Sequence, residues 1–187
     1  EKIILDIPDG GKTFVLKTLS RRLLALLGWK LIEPQNRPAK AVLVGYPHTS
    51  NWDGVYALLV KLALGLPANW VGKDTLFRWP LGGIMRRLGG IPIDRSAPTG
   101  FVAQMAAEFA SRPDFLLVIA PEGTRSLTKG WKSGFYRIAL AAKVPVALAY
   151  VDYAKRQAGI LTYLTLTGDP AADIAAIACH YENRSGK

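Results

Sequence analysis

Apolar residues recur along this chain in two alternating rhythms. Short runs at Ala41–Tyr46, 69–73, 90–93, Phe115–Ala120 and Val144–Tyr153 are continuous or β-branched in part, and they read as buried strands. Between them, longer stretches with helical spacing predict helices over 53–65, 98–112 and 133–143, and a helical segment interrupted by glycine and proline over 75–88. Gln157-Ala-Gly159 predicts a turn into Ile160–Thr167, an alternating run that reads as an antiparallel addition, and Pro170 opens a last helix to about Tyr181. Strands that alternate with helices predict an α/β fold with a mixed, largely parallel central sheet flanked by helices. An N-terminal amphipathic helix and a C-terminal hairpin-like strand complete it.

That N-terminal helix is expected within residues 13–32. In Phe14–Ile32, Leu16, Leu19, Leu23, Leu26 and Leu27 share one face, away from Lys17, Arg21 and Arg22. Its longest uncharged run, Leu23–Trp29, is far shorter than the roughly 20 residues that span a bilayer. Two readings follow: the helix lies on a membrane surface, or it packs on the protein's own core.

Composition narrows the class. The 187 residues suffice for one domain over 1–187, with a motif-bearing core over 40–152 and no linker, repeat or low-complexity tract. Half the residues are hydrophobic, and 24 Lys+Arg against 14 Asp+Glu give a formal net charge of +10. Such a balance suits an anionic membrane or nucleic acid. Scattered basic residues, without zinc-finger spacing, a helix-turn-helix pattern or an aromatic RNA-binding signature, argue against nucleic acid. One cysteine allows no intramolecular disulfide and fits a reducing compartment, and no signal peptide is visible. Two distant histidines and that cysteine offer no compact metal-ligand set.

The candidate chemistry centres on His48-Thr-Ser-Asn-Trp-Asp53. A loop that leaves a strand and enters a helix can bring residues five apart face to face, so the imidazole and the carboxylate can meet. Asp53 would hold one ring nitrogen of His48 protonated and leave the other free to accept a proton. No Gly-x-Ser-x-Gly elbow occurs, and Cys179 lies in a helical pattern near the C-terminus. The base would then act on a substrate hydroxyl, without a covalent enzyme intermediate. The spacing alone favours a helix cap in which the two side chains merely bond each other.

Further segments change that balance. Ala120-Pro-Glu-Gly-Thr-Arg-Ser126 follows a predicted strand, and Gly89-Gly-Ile-Pro-Ile-Asp-Arg95 sets an arginine after another. With His48-x4-Asp53 and Val144–Tyr150, these blocks resemble in order and spacing the four motifs of the glycerolipid acyltransferase family, from about residue 40 to about 152. The resemblance implies transfer of a fatty acyl group from a thioester on coenzyme A or acyl carrier protein to a lysophospholipid hydroxyl, with 1-acyl-glycerol-3-phosphate as the leading acceptor. It implies His48 as base and Asp53 as its orienting acid. It places Lys73, Arg95, Glu122, Gly123, Thr124 and Arg125 about the anionic substrate, and it implies no cofactor beyond the thioester co-substrate. The expected station is the cytoplasmic face of a membrane, peripheral or monotopic, with an anionic surface as partner.

Three positions depart from the family pattern. Pro92 stands where a bulky apolar residue is usual, Ala120 where an aromatic is usual, and Ala147-Leu-Ala where the fourth block ordinarily has a second proline. These alter local shape more than chemistry and bear on acceptor preference. Two alternatives use the same residues: a lipid-binding membrane-surface protein without turnover, and an acyl-thioester hydrolase in which water replaces the acceptor. Phe77–Leu88, with its aromatics, glycines and paired arginines, is read either as lining an acyl channel or touching lipid, or as an ordinary bent helix. Trp131 either covers a loop or fills a core gap.

Overall fold

The apolar runs assemble into one sheet with strand order β1-β7-β6-β2-β5-β3-β4. In the computed structural model, residues 9–46, 51–93, 98–121, 131 and 133–182 are described. The strands are β1 (Lys30–Ile32), β2 (Lys40–Gly45), β3 (Ala68–Lys73), β4 (Gly90–Ile93), β5 (Phe115–Ile119), β6 (Val146–Asp152) and β7 (Gln157–Leu164). The helices are α1 (Asp9–Leu26), α2 (Asn51–Leu64), α3 (Gly82–Arg87), α4 (Pro98–Ser111), α5 (Gly134–Ala142) and α6 (Pro170–Cys179), with a 3-10 turn over Asp74–Phe77. Strands β4, β3, β5, β2 and β6 run parallel, and β7 returns antiparallel along β6. The expected mixed, largely parallel sheet is therefore present.

Alternation along the central strands divides the interior into two cores. Val42, Val44, Leu117 and Leu148 face a core with Met105, Phe109, Phe135 and Ile138 from α4 and α5 and Ile177 from α6. Ala41, Leu43, Leu116 and Ala147 face the opposite core, with Leu24 of α1 and Val60, Ala63 and Leu64 of α2. A central strand covered on both faces needs apolar residues at every position, which is why β2 and β5 read as continuous runs. Trp131, partly buried, packs against the first core, 5.2 Å from the Tyr46 ring and 5.8 Å from Tyr181.

Two expectations are corrected. The N-terminal helix ends at Leu26 rather than running to Ile32. Gly28, at φ 76°, turns the chain left-handed while the amides of Leu27, Gly28 and Trp29 close onto the carbonyls of Leu23, Ala25 and Leu24. Residues 30–32 then form an edge strand parallel to β7. The turn expected at Gln157-Ala-Gly159 falls instead at Tyr153–Arg156. Gly159 serves packing rather than turning, because a Cβ there would lie 1.9 Å from the Ile32 carbonyl oxygen. Its missing side chain is what admits β1 to the sheet.

The orientation of α1 is set by the few side chains it buries. Leu24 and Ser20 are buried, and Arg21 donates from Nε to the Ala63 carbonyl at 2.7 Å, so this side meets the C-terminal end of α2. Arg37 adds hydrogen bonds to the carbonyls of Leu64 and Gly65. Cations on these final carbonyls satisfy unpaired acceptors and complement the helix dipole. Leu16, Leu19, Leu23, Leu26 and Leu27 consequently face outward, with Leu26 86% exposed. The leucine face is not the core-facing one.

Candidate active site

Parallel pairing carries the C-terminal ends of β2, β3, β4, β5 and β6 to one edge of the sheet, where ligands of open α/β folds bind. Asp53 sits there, in the first turn of α2, where the helix dipole favours a carboxylate. It is only 5% exposed. Lys73 closes β3, opposite Ile93 of β4, and its side chain is exposed at the same edge. His48, Arg95, Glu122, Gly123, Thr124 and Arg125 lie outside the described residues. The described residues that precede them, Tyr46, Ile93 and Pro121, follow or end strands β2, β4 and β5 at this edge.

Asp53 has a partner that the sequence motif does not reveal. Tyr153, in the turn after β6, donates its hydroxyl to Asp53 Oδ1 at 2.7 Å across a separation of 100 residues. Burial first, then the hydrogen bond and the Asp53 charge, push the Tyr153 phenol well above its usual value of 10. Tyr153 is therefore a neutral donor at any physiological pH, and it fixes one carboxylate oxygen. The ring is itself held: Trp29 lies 5.4 Å and Tyr56 5.5 Å from it edge-on, while Trp29 and Tyr56 are 4.4 Å apart. A short charge-assisted hydrogen bond set among three packed rings defines the carboxylate's orientation.

Beside Asp53 a cavity of about 450 Å³ opens between α2 and the sheet. Gly54, Ala57, Leu58 and Lys61 line it from α2, and their spacing makes them one helical face. Opposite them stand Gly45, Leu43, Val118, Ala120 and Ala149. The cavity exists because small residues meet near its Asp53 end: a Cβ added at Gly54 would touch nothing within 4 Å. Lys61 closes the other end by donating from Nζ to the Leu88 carbonyl at 2.8 Å, so its stem faces apolar space while its head is bonded. Burial lowers the Lys61 pKa. Of the stretch Phe77–Leu88, Leu88 lines this cavity, whereas Trp79 and Leu81 do not.

An apolar slot thus lies beside a buried, oriented carboxylate at the edge where ligands of open α/β folds bind. The family model described as Acyltransferase matches residues 29–151, and the chain belongs to that family. It is 33% identical over 129 residues to a probable 1-acyl-sn-glycerol-3-phosphate acyltransferase of Mycoplasma pneumoniae, an overlap of 62% of this chain and 46% of that protein. The chain thus spans about half the length of this relative. The crystal structure of the 1-acyl-sn-glycerophosphate (LPA) acyltransferase PlsC from Thermotoga maritima superposes with a TM-score of 0.62, covering 97% of this chain and 86% of that one. At 14% identity that likeness bears on the fold.

Proposed function

We propose that the protein transfers a fatty acyl group from an acyl thioester to the hydroxyl of a lysophospholipid, with 1-acyl-glycerol-3-phosphate as acceptor. The observation that carries this reading is Asp53, buried, oriented by Tyr153 and opening onto the apolar cavity. An acyl chain fits a slot of this size and polarity, since pockets for such ligands are concave and mostly apolar. The slot leaves the thioester carbonyl at the edge from which His48, Arg95 and Glu122–Arg125 continue the chain.

In the reaction His48, held by Asp53, takes the proton from the acceptor hydroxyl as its oxygen attacks the thioester carbonyl. The tetrahedral adduct collapses, the carbon–sulfur bond breaks, and the departing thiolate receives the proton from the imidazolium. The protein is left unchanged, and no covalent intermediate is required. Lys73, Arg95 and Arg125 serve the phosphates of donor and acceptor; an arginine there offers two parallel donors and stays charged at every working pH. The donor is acyl-CoA or acyl carrier protein.

The outward leucine face of α1 supports a station on the membrane, where the acceptor resides. Among the described residues no helix is long and apolar enough to cross a bilayer. A helix with an exposed apolar face lies in the interface plane.

The test is thiol release from acyl-CoA with and without lysophosphatidic acid. Acceptor-dependent release is expected. Release that ignores the acceptor would identify a hydrolase, and absence of release a lipid-binding protein. His48→Ala is expected to abolish the activity.

A further inference from the structure

The 3-10 turn and α3 carry an apolar surface that neither the cavity nor α1 accounts for. Trp79 is 93% exposed, and Leu76, Leu81 and Ile84 beside it are about half exposed. Among the described residues, every large apolar side chain that is conspicuously exposed belongs to α1 and Leu27 after it, to the first turns of α2, or to this segment, apart from Ile32 and Leu140. A soluble surface rarely gathers apolar side chains in this way without a partner.

These three elements lie on the same side of the sheet. Leu24 of α1 and Val60 of α2 pack on the core built over Ala41, Leu43 and Ala68. Phe77 turns back onto that side: Cβ atoms added at Gly72 and Gly90 would lie 3.1 and 2.7 Å from its ring. Leu88, just after α3, accepts hydrogen bonds from Lys61 of α2 at 2.8 Å and from the Trp70 indole at 3.3 Å. The segment is thus fixed to α2 on one flank of the layer while α1 covers the other. The opposite layer of α4, α5 and α6 contributes only Leu140 to the exposed set among the described residues. The asymmetry is a property of the whole molecule.

Charge selects the occupant. Arg78 and Arg87 are exposed around the apolar tip, Arg78 also pairing with Asp74 at 3.1 Å, and Arg86 is held over the Phe77 ring at 5.4 Å. Lys73 precedes the turn, and the chain carries a formal net charge of +10. A protruding tryptophan ringed by arginines suits the boundary between acyl chains and anionic headgroups, where indole rings and long cations both settle. A second protein would instead call for a flat, closely packed patch with few charges at its centre.

We propose that the 3-10 turn and α3 form a second membrane contact, inserting Trp79 and Leu81 into an anionic bilayer while Arg78, Arg86 and Arg87 bind headgroups. Two separated contacts, this one and α1, fix the layer flat on the lipid. A single helix would leave rotation about its own axis free, whereas two points hold the cavity and Asp53 at a defined height. The proposal rests on the membrane reading of α1 and extends it.

The experiment compares the wild-type chain, Trp79→Ser with Leu81→Ser, and Leu19→Ser with Leu26→Ser, by co-sedimentation with vesicles of phosphatidylglycerol and phosphatidylcholine. Thiol release from a short-chain acyl-CoA with detergent-dispersed lysophosphatidic acid runs in parallel. The Trp79/Leu81 variant is expected to bind vesicles about 10-fold more weakly, with thiol release unchanged within about twofold, because burying even one such side chain is worth that much. In vesicles containing brominated lipid, the conservative Trp79→Phe is expected to lose part of the wild-type quenching of indole emission. Unchanged vesicle binding in the Trp79/Leu81 variant overturns the proposal, and loss in the α1 variant alone leaves the α1 reading standing without it. A wild-type chain that ignores vesicles overturns both, and one that forms a dimer dissociated by Trp79→Ser assigns the patch to a second copy. Vesicle binding without thiol release defeats the acyltransferase reading and leaves this proposal intact.

Discussion

A single hydroxyl distinguishes Tyr153 from phenylalanine, and that hydroxyl meets Asp53 at 2.7 Å. Tyr153→Phe keeps the ring against Trp29 and Tyr56 and removes only the donor. The fold should survive, with a cost of about 1–3 kcal/mol for a buried hydrogen bond to a charged partner. Catalysis should suffer through orientation: kcat is expected to fall about 10-fold with KM little changed, because the base loses its aim rather than the substrate its contacts. Asp53→Asn should lose at least about 10²-fold in kcat, since the wrong imidazole tautomer would then be favoured. Steady-state kinetics on the two variants check both values. A Tyr153→Phe enzyme with raised KM and intact kcat would assign Tyr153 to substrate contact instead.

The elements show which parts of the fold a sequence can carry. Strands β2 and β5 are legible because both faces are covered, and the place of Asp53 in the first turn of α2 is legible because the apolar helical pattern begins there. Strand β1 is not, since Lys30-Leu31-Ile32 has no period of its own and exists by pairing with β7 across the space left at Gly159. Tyr153 is equally silent, because a tyrosine at a strand end looks like any core aromatic until the partner 100 residues away is known. The facing of α1 is silent for a related reason: a leucine stripe predicts burial, yet here the stripe faces outward and the neighbouring Ser20 and Leu24 are the buried residues. Gly159→Ala is the test at this scale. Its Cβ would overlap the Ile32 carbonyl, and φ at this position is 143°, so β1 should detach at a cost of about 3 kcal/mol. Chemical denaturation gives the loss, and hydrogen exchange should show it concentrated in residues 30–32.

At the scale of the whole molecule, acid tolerance depends on how the last helix is tied down. Asp173 of α6 is buried and accepts from the amides of Thr167 and Gly168, the Thr167 hydroxyl and the Tyr136 hydroxyl. Burial alone would raise its pKa, but these donors outweigh it and hold the carboxyl below its usual 3.8. Because the folded value is the lower one, the unfolded chain binds the proton more readily. The contribution of Asp173 is therefore complete above pH 3.8 and is lost as pH falls below it toward the folded value. Thermal midpoints of the wild type should drop along that acid limb, and Asp173→Asn should be less stable at neutral pH with a shallower acid decline.

The cavity sets a second whole-molecule property, because its length is fixed by the packing of α2 on five strands rather than by any motif. Gly54→Leu tests this without threatening the fold, since leucine favours a helix interior by roughly 0.8 kcal/mol over glycine and a Cβ there meets open space. The new side chain would extend into the slot next to Asp53. Thiol release from long-chain acyl-CoA should fall about 10-fold or more while short-chain donors keep their rate, and the thermal midpoint should stay level or rise. Equal losses for short and long donors would mean that the substitution disturbs Asp53 itself, and no loss for either would mean that the acyl chain lies elsewhere.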